Sequence, residues 1–130
     1  MILRPMIMAD ADKLLEWKNY PETREFAIVT KEEINREDHH NWLKDNIDQF
    51  QIIADNQELC GAIRINHTEI SIWIDRKYRN KGVATFFLRQ VIQPGMYAKI
   101  VSGNIGSMRA FIKAGLKPIS YYNNSYYLFR

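Results

Sequence analysis

The chain has one cysteine, Cys60, in 130 residues. A lone thiol excludes an internal disulfide and fits a reducing compartment. Charged residues interrupt every apolar run well before the roughly 18 residues that a membrane-spanning helix needs. The opening Met1-Ile2-Leu3-Arg4-Pro5 lacks the basic-then-apolar order of a signal peptide, so the expected location is cytoplasmic, with no membrane partner. Long stretches of like charge are missing too. The 18 Lys and Arg are interleaved with 15 Asp and Glu, leaving a net charge of only +3, and no nucleic-acid partner is expected. An anionic small molecule exploits the same field with fewer charges. His39 and His40 point different ways on any helix, and no Cys or further His completes a set, so no metal is expected. Repeats, linkers and low-complexity tracts are absent, and residues 1–130 read as a single domain.

The hydrophobic residues that are present, 46% of the chain, suffice for one buried core without staples. Residues 1–5 alternate and stop at Pro5, which places them on an edge strand. Asp10 precedes a helix carrying Leu14, Leu15 and Trp17 and is positioned to cap it. Tyr20-Pro21 ends that helix, because the residue before a proline leaves the helical region. A second helix presents Ile34, Trp42, Leu43 and Ile47. Its start falls at Thr30, by capping-box spacing to Glu33, or at Asn35. From Phe50 the apolar period shortens to two. Runs at 51–54, 59–65 and 69–75, parted by Asp55-Asn56 and Asn66-His67-Thr68, read as an antiparallel meander. A helix follows Gly82 and breaks at Gln93-Pro94-Gly95. A strand at 98–101, a helix from Asn104 to Gly115 and a hairpin across Asn123-Asn124 complete the order. The expected fold is α/β, a mixed, mostly antiparallel central sheet with helices on both faces. Parallel neighbours are expected only at the two crossovers around Gly82 and Asn104.

One stretch carries a chemical signal. The alternation Ile70, Ile72, Ile74 runs through Asp75 into Arg79-Asn80-Lys81-Gly82-Val83-Ala84, after which the pattern is helical. A strand that ends in a short basic glycine loop and restarts as a helix lines up unpaired N–H groups at a positive helix end. That arrangement suits a phosphate or pyrophosphate.

Over the whole chain, this order and these residues resemble the GCN5-related N-acetyltransferase (GNAT) family. Residues 79–84 are similar to its Arg/Gln-x-x-Gly-x-Gly/Ala acyl-CoA loop. Asn104-Ile105-Gly106-Ser107 and the following Phe111-Ile112-Lys113-Ala114-Gly115-Leu116 are similar to its second motif, an Asn-x-x-Ser/Ala helix ending in Lys-x-Gly-Phe. Short glycine patterns occur by chance, so the weight lies in two motifs in order, each on its expected element. The resemblance implies acetyl-CoA as co-substrate. It gives Arg79 and the amides of Asn80, Lys81, Gly82, Val83, Ala84 and Thr85 to the pyrophosphate. Ile72, Trp73 and Ile74 would pair their backbone with the pantetheine arm as an added strand does, with Asn104 and Ser107 beside that arm. Taken singly, Gly82 is equally a plain strand–helix turn and Asn104 a plain cap.

Acetyl transfer to an amine needs a neutral amine, a polarised carbonyl and a protonated leaving thiol. The resemblance gives the Ile74 N–H the oxyanion and Glu69 the role of base; a solvated carboxylate at a strand start is the plain alternative. Many family members have Tyr seven positions after the motif Asn. Phe111 stands there and carries no proton, which leaves Tyr121, Tyr122, Tyr126, Ser107 or solvent. Leu3-Arg4-Pro5, Trp17-x-Asn19, Arg24 and His39-x-x-Trp42 resemble the branch of ribosomal-protein and nucleotide-amino-sugar (UDP-4-amino-sugar) acetyltransferases. On that likeness Arg24 and Arg64 meet a diphosphate, and Trp17 or Trp42, with Asn19, line the acceptor side. A Trp on an amphipathic helix is more often core, and Arg4 more often an ion-pair partner. The expected activity is transfer of acetyl to the primary amine of a small molecule, such as a nucleotide-linked amino sugar, by a monomer or homodimer. Nα-acetylation of a protein terminus and a non-catalytic acyl-CoA-binding domain are the alternatives.

Overall fold

In the computed structural model, which describes residues 1–28 and 31–130, β1 (Ile2–Pro5) runs antiparallel to β2 (Phe50–Asp55). The chain between them forms α1 (Ala11–Asn19), α2 (Pro21–Glu25) and α3 (Arg36–Asn46). Two helices were expected here and three are found. Pro21 ends α1 as its ring requires, and the same residue opens α2 at the first helical position, where a missing N–H costs nothing. Asn35 caps α3, its Oδ1 accepting from the amides of Glu37 at 2.8 Å and Asp38 at 3.2 Å. Thr30, the other candidate, lies outside the described residues.

Asp10 corrects an expectation. It precedes α1 but its carboxylate does not cap the helix. Instead it accepts two N–H groups of Arg4, at 2.8 and 2.9 Å, and the Ile7 amide at 3.0 Å. Burial pushes this carboxyl up, and Arg4 with the amide outweighs that and holds it below the ordinary range. Arg4 is thus a structural ion-pair partner.

The meander is as expected. β2, β3 (Glu58–Asn66) and β4 (Glu69–Ile74) are antiparallel neighbours in the order β1-β2-β3-β4. Their turns place Asn56 and His67 in the left-handed region, at φ 56° and 57°. A bulge interrupts the β2–β3 ladder, so that Ile53 faces Gly61 while Ala54 faces Leu59. The extra residue, Cys60, turns its carbonyl to the Asp75 amide at 2.8 Å, where β4 ends.

After α4 (Val83–Val91) and on either side of α5 (Ile105–Lys113), β5 (Ala98–Val101), β6 (Pro118–Tyr122) and β7 (Tyr126–Phe129) form a second, three-stranded sheet. Asn123 and Asn124, at φ 52° and 51°, are the central residues of a turn closed by the Ser125 amide on the Tyr122 carbonyl at 2.9 Å, within a three-residue connection from Tyr122 to Tyr126. The strand order is β5-β7-β6, antiparallel throughout. Here the topology departs from expectation: β7 sits between β5 and β6, so the Asn104 crossover yields no parallel neighbours. The Gly82 crossover does, but only at one bridge, Glu69 to Tyr97.

The sheet has helices on both faces. Ile63, Ile70, Phe87, Leu88, Phe111 and Phe129 form a core under α4 and α5. Leu14, Trp17, Leu43, Phe50, Ile52 and Ala62 form another under α1 and α3. Each fully buried side chain of this size contributes about 1.5–3 kcal/mol relative to exposure.

Candidate active site

β4 and β5 are joined at one end and part beyond it. The Ile70 amide donates to the Tyr97 carbonyl and the Tyr97 amide to that of Thr68, both at 2.9 Å. Tyr97 is the last point at which the described residues link these strands. Alternation then fixes what faces the gap. The Ile70 amide points to β5 and the Asp75 amide points back to Cys60, so those of Ile72 and Ile74 point away from β3, into the opening. Gly61 stands opposite Ile74. A Cβ there would come within 2.5 Å of the Trp73 carbonyl oxygen, so only glycine lets β3 lie this close to the end of β4.

At that end the chain makes a short 310 turn, Arg76–Tyr78, and enters the basic loop. Asn80 and Gly82 both have positive φ, 61° and 78°. The first helical bond of α4 runs from the Phe86 amide to the Gly82 carbonyl at 3.0 Å. Among the described residues, the amides of Asn80, Lys81, Gly82, Val83, Ala84 and Thr85 have no acceptor, and they cluster at the positive end of α4. A Cβ on Gly82 would meet no atom within 4 Å, so the surface beside this loop is open to a ligand.

Two buried or half-buried carboxylates hold the loop. Asp75 accepts from the Trp17 indole N–H and the Lys77 amide, both at 2.9 Å, with Lys13 at 3.5 Å. Burial pushes Asp75 up, and Trp17, the amide and Lys13 together keep it below the ordinary carboxylate range. Glu22 on α2 accepts from Arg76 at 2.8 and 2.6 Å and from Arg79 at 3.2 Å. These hydrogen bonds, Arg76 foremost, bring the Glu22 carboxyl down to about 2. Arg79 also donates Nε to the Ile74 carbonyl at 3.1 Å, bracing strand against loop.

On the α1–α3 side of the sheet, where β4 and β5 part, lies an open cleft of about 200 Å³. It is lined by Arg64 and Asn66 of β3, Glu69 and Ser71 of β4, Lys99 of β5, and Ile28. Arg64 donates Nε to Gln49 Oε1 at 2.8 Å and stacks over Trp42, 4.9 Å from its centroid.

The sequence-derived candidates therefore divide. The structure brings Glu69 and Arg64 into the cleft and sets the amides of Ile72 and Ile74 along the open edge of β4, with Ile74 at the end of the strand far from Glu69. Trp73 turns its side chain to the α1–α3 core, beside Phe50. Trp17 is buried to 1% exposure with its N–H on Asp75. Asn19 bonds both ways to the Ile34 backbone, at 3.0 and 2.7 Å, and Arg24 donates to the Asn19 carbonyl at 3.2 Å. None of these three lines the cleft. Asn104 does cap α5, accepting from the Ser107 amide at 3.4 Å, and among the described residues its amide NH2 has no acceptor. Phe111 is core, 3% exposed. Lys99, Asn66 and Ser71 went unnoticed in the sequence. Only the alternation of β5, which buries Ala98 and Ile100, marks Lys99 as facing the other way.

Residues 1–117 match the family model described as an acetyltransferase (GNAT) domain. Among curated proteins none matches the sequence significantly. Solved structures with the same fold include a domain from Methanocaldococcus jannaschii (19% identity, TM-score 0.80, 99% of this chain and 96% of that one). They also include a ribosomal-protein-alanine N-acetyltransferase from Brucella melitensis (17%, TM-score 0.77, 99% and 96%). A third is yncA from Salmonella typhimurium, solved with its cofactor acetyl-CoA (16%, TM-score 0.77, 99% and 90%). At such identities the likeness is one of fold. The family match, which spans both the edge strand and the helix-capping loop, is what assigns the chain: it belongs to the GNAT family of acetyl-CoA-dependent acetyltransferases.

Proposed function

We propose that this enzyme moves acetyl from acetyl-CoA to the primary amine of a small molecule seated in the cleft beside Glu69. One observation carries the reading. A track of unpaired backbone amides runs from residues 80–85 along Ile74 and Ile72 and ends where a single carboxylate lines a cleft. The loop amides, with exposed Lys81 beside them, would hold the pyrophosphate, and the β4 edge with Asn104 would hold the pantetheine arm. Bound there, acetyl-CoA supplies a thioester carbonyl. Ile74 stands at the phosphate end of β4, five residues or about 16 Å from Glu69, so the Ile72 N–H, nearer the cleft, is the donor placed to receive charge on the carbonyl oxygen. Glu69 takes a proton from the incoming ammonium, directly or through one water. Phe111 offers no hydroxyl and is sealed in the core, so the proton reaches the leaving thiolate from solvent or from one of Tyr121, Tyr122, Tyr126 and Ser107.

A cleft of this size receives the amine and the atoms next to it, with the rest of the acceptor lying outside. Arg64 in its wall is compatible with a phosphate-bearing acceptor such as a nucleotide-linked amino sugar. Thermal-shift titration with CoA and acetyl-CoA, followed by thiol release over a panel of amines, tests the proposal. Stabilisation by both ligands and amine-dependent thiol release are expected. Stabilisation without release by any amine would leave a binding domain only.

A further inference from the structure

The cleft is unevenly charged. In the β3–β4 ladder Arg64 faces Ser71 and Asn66 faces Glu69. Tyr97 bridges Glu69 from the other side, so Lys99, two residues on, lies level with Ser71. The lining therefore forms two rows across three strands. One row is Arg64, Ser71 and Lys99; the other is Asn66 and Glu69. They are one pleat repeat apart, about 7 Å along the strand.

The first row is short of negative charge. Arg64 has its Nε on Gln49, and among the described residues its remaining N–H groups have no acceptor. Lys99 has no ion pair there either, lying only 5.8 Å over the Tyr126 ring. Behind Arg64, the Lys18 ammonium sits among Trp42, Phe50 and Trp73, at 4.3, 5.4 and 5.4 Å from their centroids, again with no carboxylate. Burial, then Arg64, brings Lys18 down to about 8. Aromatic faces partly offset such a cation, but three neighbouring cations and one carboxylate leave a positive wall. An anion bound in the row would complete it.

We propose that the acceptor carries an acidic group, carboxylate or phosphate, a few bonds from its amine. Arg64, Lys99 and the Ser71 hydroxyl bind that group while the ammonium faces Glu69 and Asn66. The inference rests on reading this cleft as the acceptor pocket. A neutral amine would fill only the second row and leave the first unpaired. A dicationic amine would meet repulsion there.

Thiol release from acetyl-CoA is compared for β-alanine against β-alaninamide, and for 2-aminoethyl phosphate against ethanolamine. The acidic member of at least one pair should show kcat/KM about tenfold or more above its neutral partner, the worth of one charge-assisted bond. The carboxylate and phosphate pairs tell which anion the row prefers. Arg64→Gln and Lys99→Gln should each bring the ratio toward parity, Arg64→Lys less so, while calorimetric CoA affinity stays as in the unsubstituted protein. Parity or a preference for the neutral member in both pairs overturns the inference while sparing acetyl transfer. So does a ratio that neither substitution moves. Absence of both CoA binding and thiol release would sink the acetyl-transfer reading, and this inference with it.

Discussion

On one face of β4, Ile70, Ile72 and Ile74 pack against α4 and α5; on the other, Glu69 and Ser71 line an open cleft and Trp73 joins the α1–α3 core. The two faces come from the same six residues and obey the same alternation. They differ because α4 and α5 cover the apolar face, whereas on the other face the α1–α3 core reaches only Trp73. The apolar face fixes where the backbone lies. The polar face can then present a carboxylate to solvent at a defined place. A reacting strand needs both, since a base positioned by a loose strand would lose its geometry.

The largest effect should come from breaking the phosphate end of the strand. Gly82→Glu keeps room for a Cβ and costs about 1–2 kcal/mol of backbone strain at positive φ. It also sets a negative charge among the amides of residues 80–85. CoA affinity, read by calorimetry, should fall about 100-fold or more; unchanged affinity would place the donor elsewhere. Next comes the polar face itself. Glu69→Gln should lower kcat by about 100-fold and flatten its rise with pH, leaving CoA affinity intact. An unaltered pH profile would return Glu69 to the status of a surface carboxylate.

Asp75→Ala probes the join between the faces and the loop. It orphans the buried Trp17 N–H and should cost about 1–3 kcal/mol in urea unfolding. A loss no greater than that of an exposed Asp→Ala control would mean the carboxylate does not anchor α1 to the loop. The smallest effect concerns His39 on α3, 3% exposed, with neither ring nitrogen hydrogen-bonded among the described residues. Burial, then Lys18 and His40, brings it down to about 4. Between its ordinary value of 6.5 and about 4 the unfolded chain takes up a proton that the folded one refuses, so stability falls as pH falls through that window. His39→Leu should shallow that acid limb and add about 1 kcal/mol near neutral pH. An identical pH–stability curve would show that the ring is not held neutral.

Much of this was legible in the residues. Asn123-Asn124 turned a hairpin, Asn35 and Asn104 capped helices, and Gly82 took the left-handed backbone that β-branched or bulky residues avoid. Such features depend on a residue and its near neighbours. The readings that failed depended on distant ones. Asp10 has the composition of a cap, but Arg4 outbids the helix amides for its carboxylate. Trp17 resembled a ligand platform until its indole found Asp75, 58 positions away. The place of β7 between β5 and β6 follows from which hairpin edge covers the core, and no local pattern encodes that.

The sequence by itself determined the elements other than α2, the period-two faces of β4 and the loop whose amides stay unpaired, because sterics and hydrogen bonding act within a few residues. Tertiary structure alone decided that, among the described residues, β4 and β5 meet only at Tyr97 and that Arg64, Glu69 and Lys99 share one cleft. It also placed Phe111 in the core under α4 and α5. Those outcomes depend on how the two sheets meet and the helices pack on them, which brings together residues that the chain keeps far apart.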